Sequence, residues 1–270
     1  MEATSSQQDI IELLRDDPDF MKNVTSWEHI EPTEGKYDTL PEDLDQGIRE
    51  SLERRGITRL YSHQAAAYRE IRAGKNVVIV TPTASGKTLS YNLPVLQAIH
   101  EDPETRALYL FPTKALSQDQ QSELNDTVLS GELKVKVATF DGDTPSSLRV
   151  SARETGQIVI SNPDMLHAGI LPNHPKWIRF FKRLRYVVID EVHTYRGVFG
   201  AHMTNLMRRL KRIARFYGNE PVFVLCSATI GNPKTLAEAV LEEPVHLIDE
   251  NGAPSGEKHF VLYNPPLVEI

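Results

Sequence analysis

The sequence predicts an α/β domain with a mostly parallel sheet flanked by helices. Three observations carry that expectation. Short apolar, β-branched runs recur along the chain, the longest aliphatic ones being Val77-Val78-Ile79-Val80 and Tyr186-Val187-Val188-Ile189. Most of them are separated by stretches of helical character, and strands alternating with helices indicate βαβ units. Several runs are apolar at every position, as strands covered on both faces of a parallel sheet must be.

In chain order, helices are expected at Asp9–Leu14, Pro41–Arg55 and Ser62–Ala73, and the first strand at Asn76–Val80. Further strands are expected at Ala107–Phe111, Lys134–Phe140, Gln157–Ser161, Tyr186–Asp190, Val222–Ser227 and Val245–Ile248. Loop signals cluster at Pro32–Lys36, Asp141–Pro145 and Asn251–Gly256. The expected organisation is an N-terminal helical extension over 1–55, one α/β domain over 56–250, and a linker beginning in 251–270. Met203, Leu206, Met207, Leu210, Ile213, Ala214 and Tyr217 recur at helical spacing and read as a core stripe. On the opposite face Arg208, Arg209, Lys211, Arg212 and Arg215 read as a solvated basic surface.

The chain has 270 residues, room for one large domain or two small ones. Hydrophobic residues at 40% and charged residues at 25% are ordinary globular usage, which excludes wholesale disorder. No aliphatic run approaches the roughly 20 residues of a membrane helix, so no membrane partner is expected. Nothing in the first eight residues marks the chain for secretion. The single cysteine, Cys226, excludes an internal disulfide and a multi-cysteine zinc site, and a reducing, cytoplasmic setting follows. The formal charge of −7 argues against binding nucleic acid by bulk positive charge, so any such site must be local.

The strongest chemical signal is Thr81-Pro82-Thr83-Ala84-Ser85-Gly86-Lys87-Thr88, directly after the first strand and opening a helix. That is the arrangement of a phosphate-binding loop. Backbone N–H groups over Thr83, Ala84, Ser85 and Gly86 would surround phosphate oxygens of ATP. Lys87 would reach the β and γ phosphates, and the Thr88 hydroxyl would ligate Mg²⁺. Thr81 stands where the usual pattern has its first glycine. A second signal, Asp190-Glu191, closes the strand at Tyr186, at the carboxyl end where open α/β sheets place ligands. Asp190 would hold Mg²⁺ through its water shell, and Glu191 would orient and deprotonate the attacking water.

Asp190-Glu191-Val192-His193 together with Thr83-Ala84-Ser85-Gly86-Lys87-Thr88 resembles the superfamily-2 helicases of DEAD/DEAH-box type. Other blocks follow in the order of that superfamily. They are Gly56 through Gln64, Phe111-Pro112-Thr113-Lys114-Ala115-Leu116, Asp141-Gly142-Asp143-Thr144, Ser161-Asn162-Pro163-Asp164-Met165-Leu166 and Ser227-Ala228-Thr229. The wider blocks Trp27–Pro32, Asp190–Gly200 and Ser227–Pro233 resemble more narrowly the branch of bacterial mitomycin repair factors and Hrq-type helicases.

The resemblance implies a RecA-like first domain of an ATP-driven DNA translocase. It also implies 3′-to-5′ movement on single strands, a role in DNA repair, and a second RecA-like domain carried elsewhere in the polypeptide. Gln64 would read adenine through its amide, which can pair with both N6 and N7, and Tyr61 would stack on the ring; the alternative for Gln64 is an exposed residue at a helix start. Thr113, Lys114, Gly142, Thr144, Ser161 and Asn162 would contact single-stranded or partly duplex DNA along its backbone. The alternative for Thr113, Thr144 and Asn162 is helix capping. His193, Ser227 and Thr229 would couple the nucleotide state to the DNA face. An RNA-remodelling ATPase and a non-enzymatic nucleotide-binding module stand as rival readings.

Overall fold

The computed structural model describes residues 7–266. The chain divides into two compact units, Lys36–Ala253 and Met1–Gly35 with Pro254–Ile270.

The larger unit is built on seven strands: β1 (Val77–Val80), β2 (Arg106–Leu110), β3 (Val137–Thr139), β4 (Ile158–Ser161), β5 (Leu184–Ile189), β6 (Val222–Ser227) and β7 (His246–Ile248). Their order across the sheet is β7-β1-β6-β5-β2-β4-β3, and every neighbouring pair is parallel. The period-2 geometry of a strand explains why the runs are apolar throughout. Val77, Ile79, Ala107, Tyr109, Tyr186, Val188, Val224 and Cys226 face one core. The residues between them, Val78, Val80, Leu108, Leu110, Val187, Ile189, Phe223 and Leu225, face a second core.

Helices α1 (Gln46–Arg54), α2 (Ser62–Arg72), α3 (Lys87–Glu101) and α4 (Lys114–Ser130) cover the first face. The second is covered by α5 (Ser146–Thr155), α6 (Gly197–Phe216), α7 (Pro233–Leu241) and the aromatic cluster Trp177, Phe180 and Phe181. No helix of the described residues is long and apolar enough to cross a membrane.

Two elements begin well after the sequence predicts. Helix α1 starts at Gln46 because the Asp45 carboxylate accepts from the N–H groups of Gly47 and Ile48, which makes Asp45 its cap. Strand β3 begins at Val137, since the Lys136 N–H is taken by the Gln157 side chain. The core stripe of α6 is as expected, with Met203, Leu206, Met207, Leu210 and Ala214 buried. Its basic face is largely neutralised: Arg208 pairs with Glu242, and Arg215 with Glu220 and Glu243. Lys211 departs from the expected surface position. It is 8% exposed and donates to Glu243 Oε1 and the Leu241 carbonyl.

In the smaller unit, the strands Val24–Ile30 and Lys258–Tyr263 pair antiparallel, with His29 opposite His259. The stretch expected as a helical extension holds the helix expected at Asp9–Leu14, as Gln7–Asp16, and also a strand, which pairs with one from the stretch expected as linker. Trp27 Nε1 donates to His259 Nδ1 at 3.0 Å, which places the imidazole proton on Nε2, 3.0 Å from Glu257. His29 Nε2 lies 2.7 Å from the same carboxylate oxygen. Glu257 thus joins the two imidazoles into one His-Glu-His group.

Candidate functional site

The strand order sets β6 between β1 and β5. The loops leaving their carboxyl ends, Thr81–Gly86, Asp190-Glu191 and Ala228-Thr229, therefore emerge side by side although they span about 150 residues of sequence, the crevice geometry of open parallel sheets. An open cleft of about 760 Å³ lies there. Tyr61, Gln64, Thr83, Ala84, Ser85, Gly86, Lys87, Thr88, Asp190 and Glu191 all line it, so the structure brings together every residue expected for nucleotide and metal.

The phosphate loop is held by its own polar groups. The Thr81 and Ser85 hydroxyls lie 2.6 Å apart and are buried, which gives Thr81 a role in place of the missing glycine. Gly86 sits in the left-handed region at φ 77°, and so does Ala84 at φ 62°, a conformation costing a non-glycine residue about 1–2 kcal/mol. The Lys87 ammonium donates to the carbonyls of Thr81 at 2.7 Å and Pro82 at 3.1 Å. It thus lies over the loop where phosphate oxygens would compete for it.

Gln64 is not the exposed helix-start residue of the alternative reading, since it is only 2% exposed. Its Oε1 accepts from the Tyr61 N–H at 2.9 Å, and its Nε2 donates to the Gly86 carbonyl at 2.9 Å. One N–H and one lone pair remain, the number that pairing with adenine N6 and N7 requires. Tyr61 packs on His63 with ring centroids 5.8 Å apart. Two further residues line the cleft: Tyr37, outside every motif, and Arg59, inside the Gly56–Gln64 block but assigned no role there. Tyr37 lies 5.4 Å from the Tyr61 ring, and the Arg59 guanidinium sits 4.3 Å above the Tyr37 ring.

Asp190 accepts from the Glu191 N–H at 2.8 Å, and its own N–H reaches the Leu110 carbonyl of the adjacent strand. Burial raises its pKa to about 6, with the Glu191 N–H bond, Lys87 and His193 acting the other way and the Glu191 charge reinforcing it. Asp190 and Thr88 line the same cleft, and a carboxylate with a threonine hydroxyl is a donor set suited to Mg²⁺, whose charge would favour the ionised form that burial opposes. Glu191 adopts φ 51°, ψ 42°, strain of the kind stored at functional sites.

His193 bridges two of the motifs: its Nδ1 lies 3.1 Å from Glu191 Oε2 and 3.3 Å from the Ala228 N–H. The nitrogen donates to Glu191 when protonated and accepts from Ala228 when not. Ser227 is buried and donates to the Ala228 carbonyl, while Thr229 is exposed.

The residues expected at nucleic acid fall into two groups. Lys114 and Asp143 form an exposed ion pair that joins the start of α4 to the turn 141–144, where Gly142 is exposed. Thr113 caps α4 through the Leu116 N–H, and Asn162 caps the short helix Pro163–Met165 through the Met165 N–H, the capping roles weighed as alternatives. Thr144 is no helix cap; its Oγ1 accepts from the Asp141 N–H and donates to the Asp141 carboxylate. Ser161 is 1% exposed and donates to the Phe140 carbonyl at 2.6 Å, so its hydroxyl ties neighbouring strand ends and does not face solvent.

Comparison with known proteins accords with this geometry. Residues 61–237 match the family model described as DEAD/DEAH box helicase. The chain is 57% identical over 247 residues to the Bacillus subtilis protein named "Uncharacterized ATP-dependent helicase YprA", covering 92% of this chain and 33% of that one. It is 42% identical over 241 residues to the ATP-dependent helicase hrq1 of Schizosaccharomyces pombe, covering 87% of this chain and 23% of that one. Among solved structures, the DUF1998 helicase MrfA bound to DNA and AMPPNP superposes with a TM-score of 0.94 at 55% identity, covering 98% of this chain and 37% of that one. The chain thus spans about a third of the length of the first of these relatives and less of the second. With a seven-stranded parallel sheet, a phosphate loop and an Asp-Glu pair in one cleft, and a family match over more than half its length, the chain belongs to the DEAD/DEAH box helicase family.

Proposed function

We propose that this chain is the ATP-hydrolysing motor domain of a DNA helicase. The observation that carries the proposal is the convergence of Lys87, Thr88, Asp190 and Glu191 on one cleft that also contains Gln64 and Tyr61. Lys87 leaves the loop carbonyls to bind the β and γ phosphates. Thr88 and Asp190 hold Mg²⁺, which when bound neutralises phosphate charge. Glu191, exposed to the cleft, takes the proton of the attacking water. His193, switching between Glu191 and Ala228, passes the state of the nucleotide to the segment Ser227–Thr229.

DNA is the favoured nucleic acid because the solved relative at 55% identity is described as bound to DNA. Lys114 and the turn around Gly142 and Thr144 form the contact surface, positioning the strand through its backbone. A second RecA-like domain acts with this one, a reading supported by the threefold greater length of the Bacillus subtilis relative. Translocation from 3′ to 5′ and a role in DNA repair follow from the resemblance in the motifs, and a cytoplasmic setting from the single cysteine. The test is ATP turnover by the full-length protein with single-stranded DNA or RNA, with strand displacement on 3′- and 5′-tailed duplexes. Stimulation by DNA and displacement of the 3′-tailed duplex are expected. Equal stimulation by RNA would overturn the choice of DNA, and nucleotide binding without turnover would reduce the domain to a binding module.

A further inference from the structure

The turn 141–144 is fixed from two sides. From one side the Asp141 carboxylate accepts from the N–H groups of Asp143 at 3.0 Å and Thr144 at 2.8 Å and from the Thr144 hydroxyl at 2.7 Å. From the other, a residue outside every motif reaches back along α5. Arg149 donates Nε to the Thr144 carbonyl at 2.8 Å, and Nη2 to the carbonyls of Asp141 at 3.0 Å and Gly142 at 2.9 Å. Its guanidinium also lies 5.7 Å from the Phe140 ring.

We propose that Arg149 is a positioning residue for nucleic-acid binding, fixing the 141–144 turn beside Lys114. The inference rests on the reading of that surface as the DNA face. Three physical points support it. A solvent-facing turn of four residues is already closed by the Asp141 side chain, and a second set of bonds adds rigidity more than it adds closure. Rigidity before binding lowers the ordering cost of contact with a flexible strand. Arg149 also draws three carbonyl oxygens towards itself, turning their partial negative charge away from an incoming phosphate. Finally, among the described residues it makes these bonds to carbonyls and not to a carboxylate, so its unit charge is kept at the turn without an ion pair in a chain of net charge −7. Only arginine offers a planar fork that can serve three acceptors in this way; lysine is a point charge on a flexible stem.

The test compares Arg149→Lys, Arg149→Gln and Lys114→Ala in the full-length protein, measuring affinity for an oligo-dT strand over a range of salt, affinity for Mg-ATP, basal ATP turnover and melting temperature. Both Arg149 variants should weaken strand binding about five- to tenfold, with Mg-ATP affinity, basal turnover and melting temperature unchanged. Lys114→Ala should flatten the dependence of log affinity on log salt by about one unit. Wild-type binding by Arg149→Lys would show that charge alone matters and overturn the positioning role. A joint fall in melting temperature and Mg-ATP affinity would make Arg149 merely structural and overturn it equally. Strand binding untouched by Lys114→Ala but weakened by both Arg149 variants would refute the assigned place of Lys114 while leaving the positioning role standing. If all three variants bind the strand normally, the DNA face itself lies elsewhere.

Discussion

Gln64 and Gly86, 22 residues apart in sequence, are joined by a 2.9 Å hydrogen bond from the Gln64 amide to the Gly86 carbonyl. The bond couples the segment proposed to read the base to the loop proposed to hold the phosphates. A Cβ on Gly86 would meet Gln64 Nε2 at 2.6 Å, and the backbone there is left-handed, so glycine is required twice over. Gln64→Ala removes the partners of the Tyr61 N–H and the Gly86 carbonyl, which border the open cleft and can turn to water, so the cost in stability should be only about 1 kcal/mol. Mg-ATP affinity should fall about tenfold and the preference over Mg-GTP should narrow. Calorimetry with both nucleotides checks this; unchanged affinity for each would remove Gln64 from base recognition.

Lys87→Ala should abolish tight binding of Mg-ATP while the melting temperature stays within a few degrees of wild type. The ammonium is lost with its bonds to the Thr81 and Pro82 carbonyls, and because Lys87 itself lines the open cleft, water can enter the place it leaves. Unaltered affinity by calorimetry would refute the phosphate-loop assignment.

Glu191→Gln should bind ATP and DNA normally in the full-length protein but hydrolyse ATP about 10²–10⁴ times more slowly. The amide preserves size and tolerates the left-handed backbone, yet cannot accept the water's proton. Near-normal steady-state turnover would end the general-base role.

Stability should fall as pH drops from about 6.5 towards 4 because of His63. Burial pushes its pKa down to about 4; a backbone bond with Ser85 opposes the shift and the charge of Lys87 adds to it. Its Nδ1 accepts from the Gly252 N–H at 3.2 Å, which requires that nitrogen to be unprotonated. Above the ordinary histidine pKa both folded and unfolded chains are neutral, and nothing is lost. Between the two pKa values only the unfolded chain takes up the proton, so stability declines by up to about 3 kcal/mol. Urea unfolding at pH 7, 5.5 and 4.5 should show a shallower decline in His63→Gln than in wild type. Parallel declines would clear His63.

The sheet and the phosphate loop were legible in sequence because their signals are local. Runs such as Val77–Val80 and Tyr186–Ile189 carry their own burial pattern, and Gly86-Lys87-Thr88 needs only a strand before it and a helix after it. The single cysteine and the net charge likewise follow from composition. Strand order was not local information. It is the insertion of β6 between β1 and β5 that sets Asp190 beside Lys87 and His193 beside Ala228. The fate of short polar side chains was undecided for the same reason. Whether a serine, threonine or asparagine faces solvent or an internal partner depends on which carbonyl the fold brings near, so Ser161 and Phe140 could not be paired in advance. Tyr37 and Arg149 belong to no motif, and Arg59 lies in the Gly56–Gln64 block without an assigned role; all three gain their places through contacts made only in the folded chain. A hydrophobic pattern specifies which faces are buried; it does not specify which loops meet, and in this protein the chemistry lies where they meet.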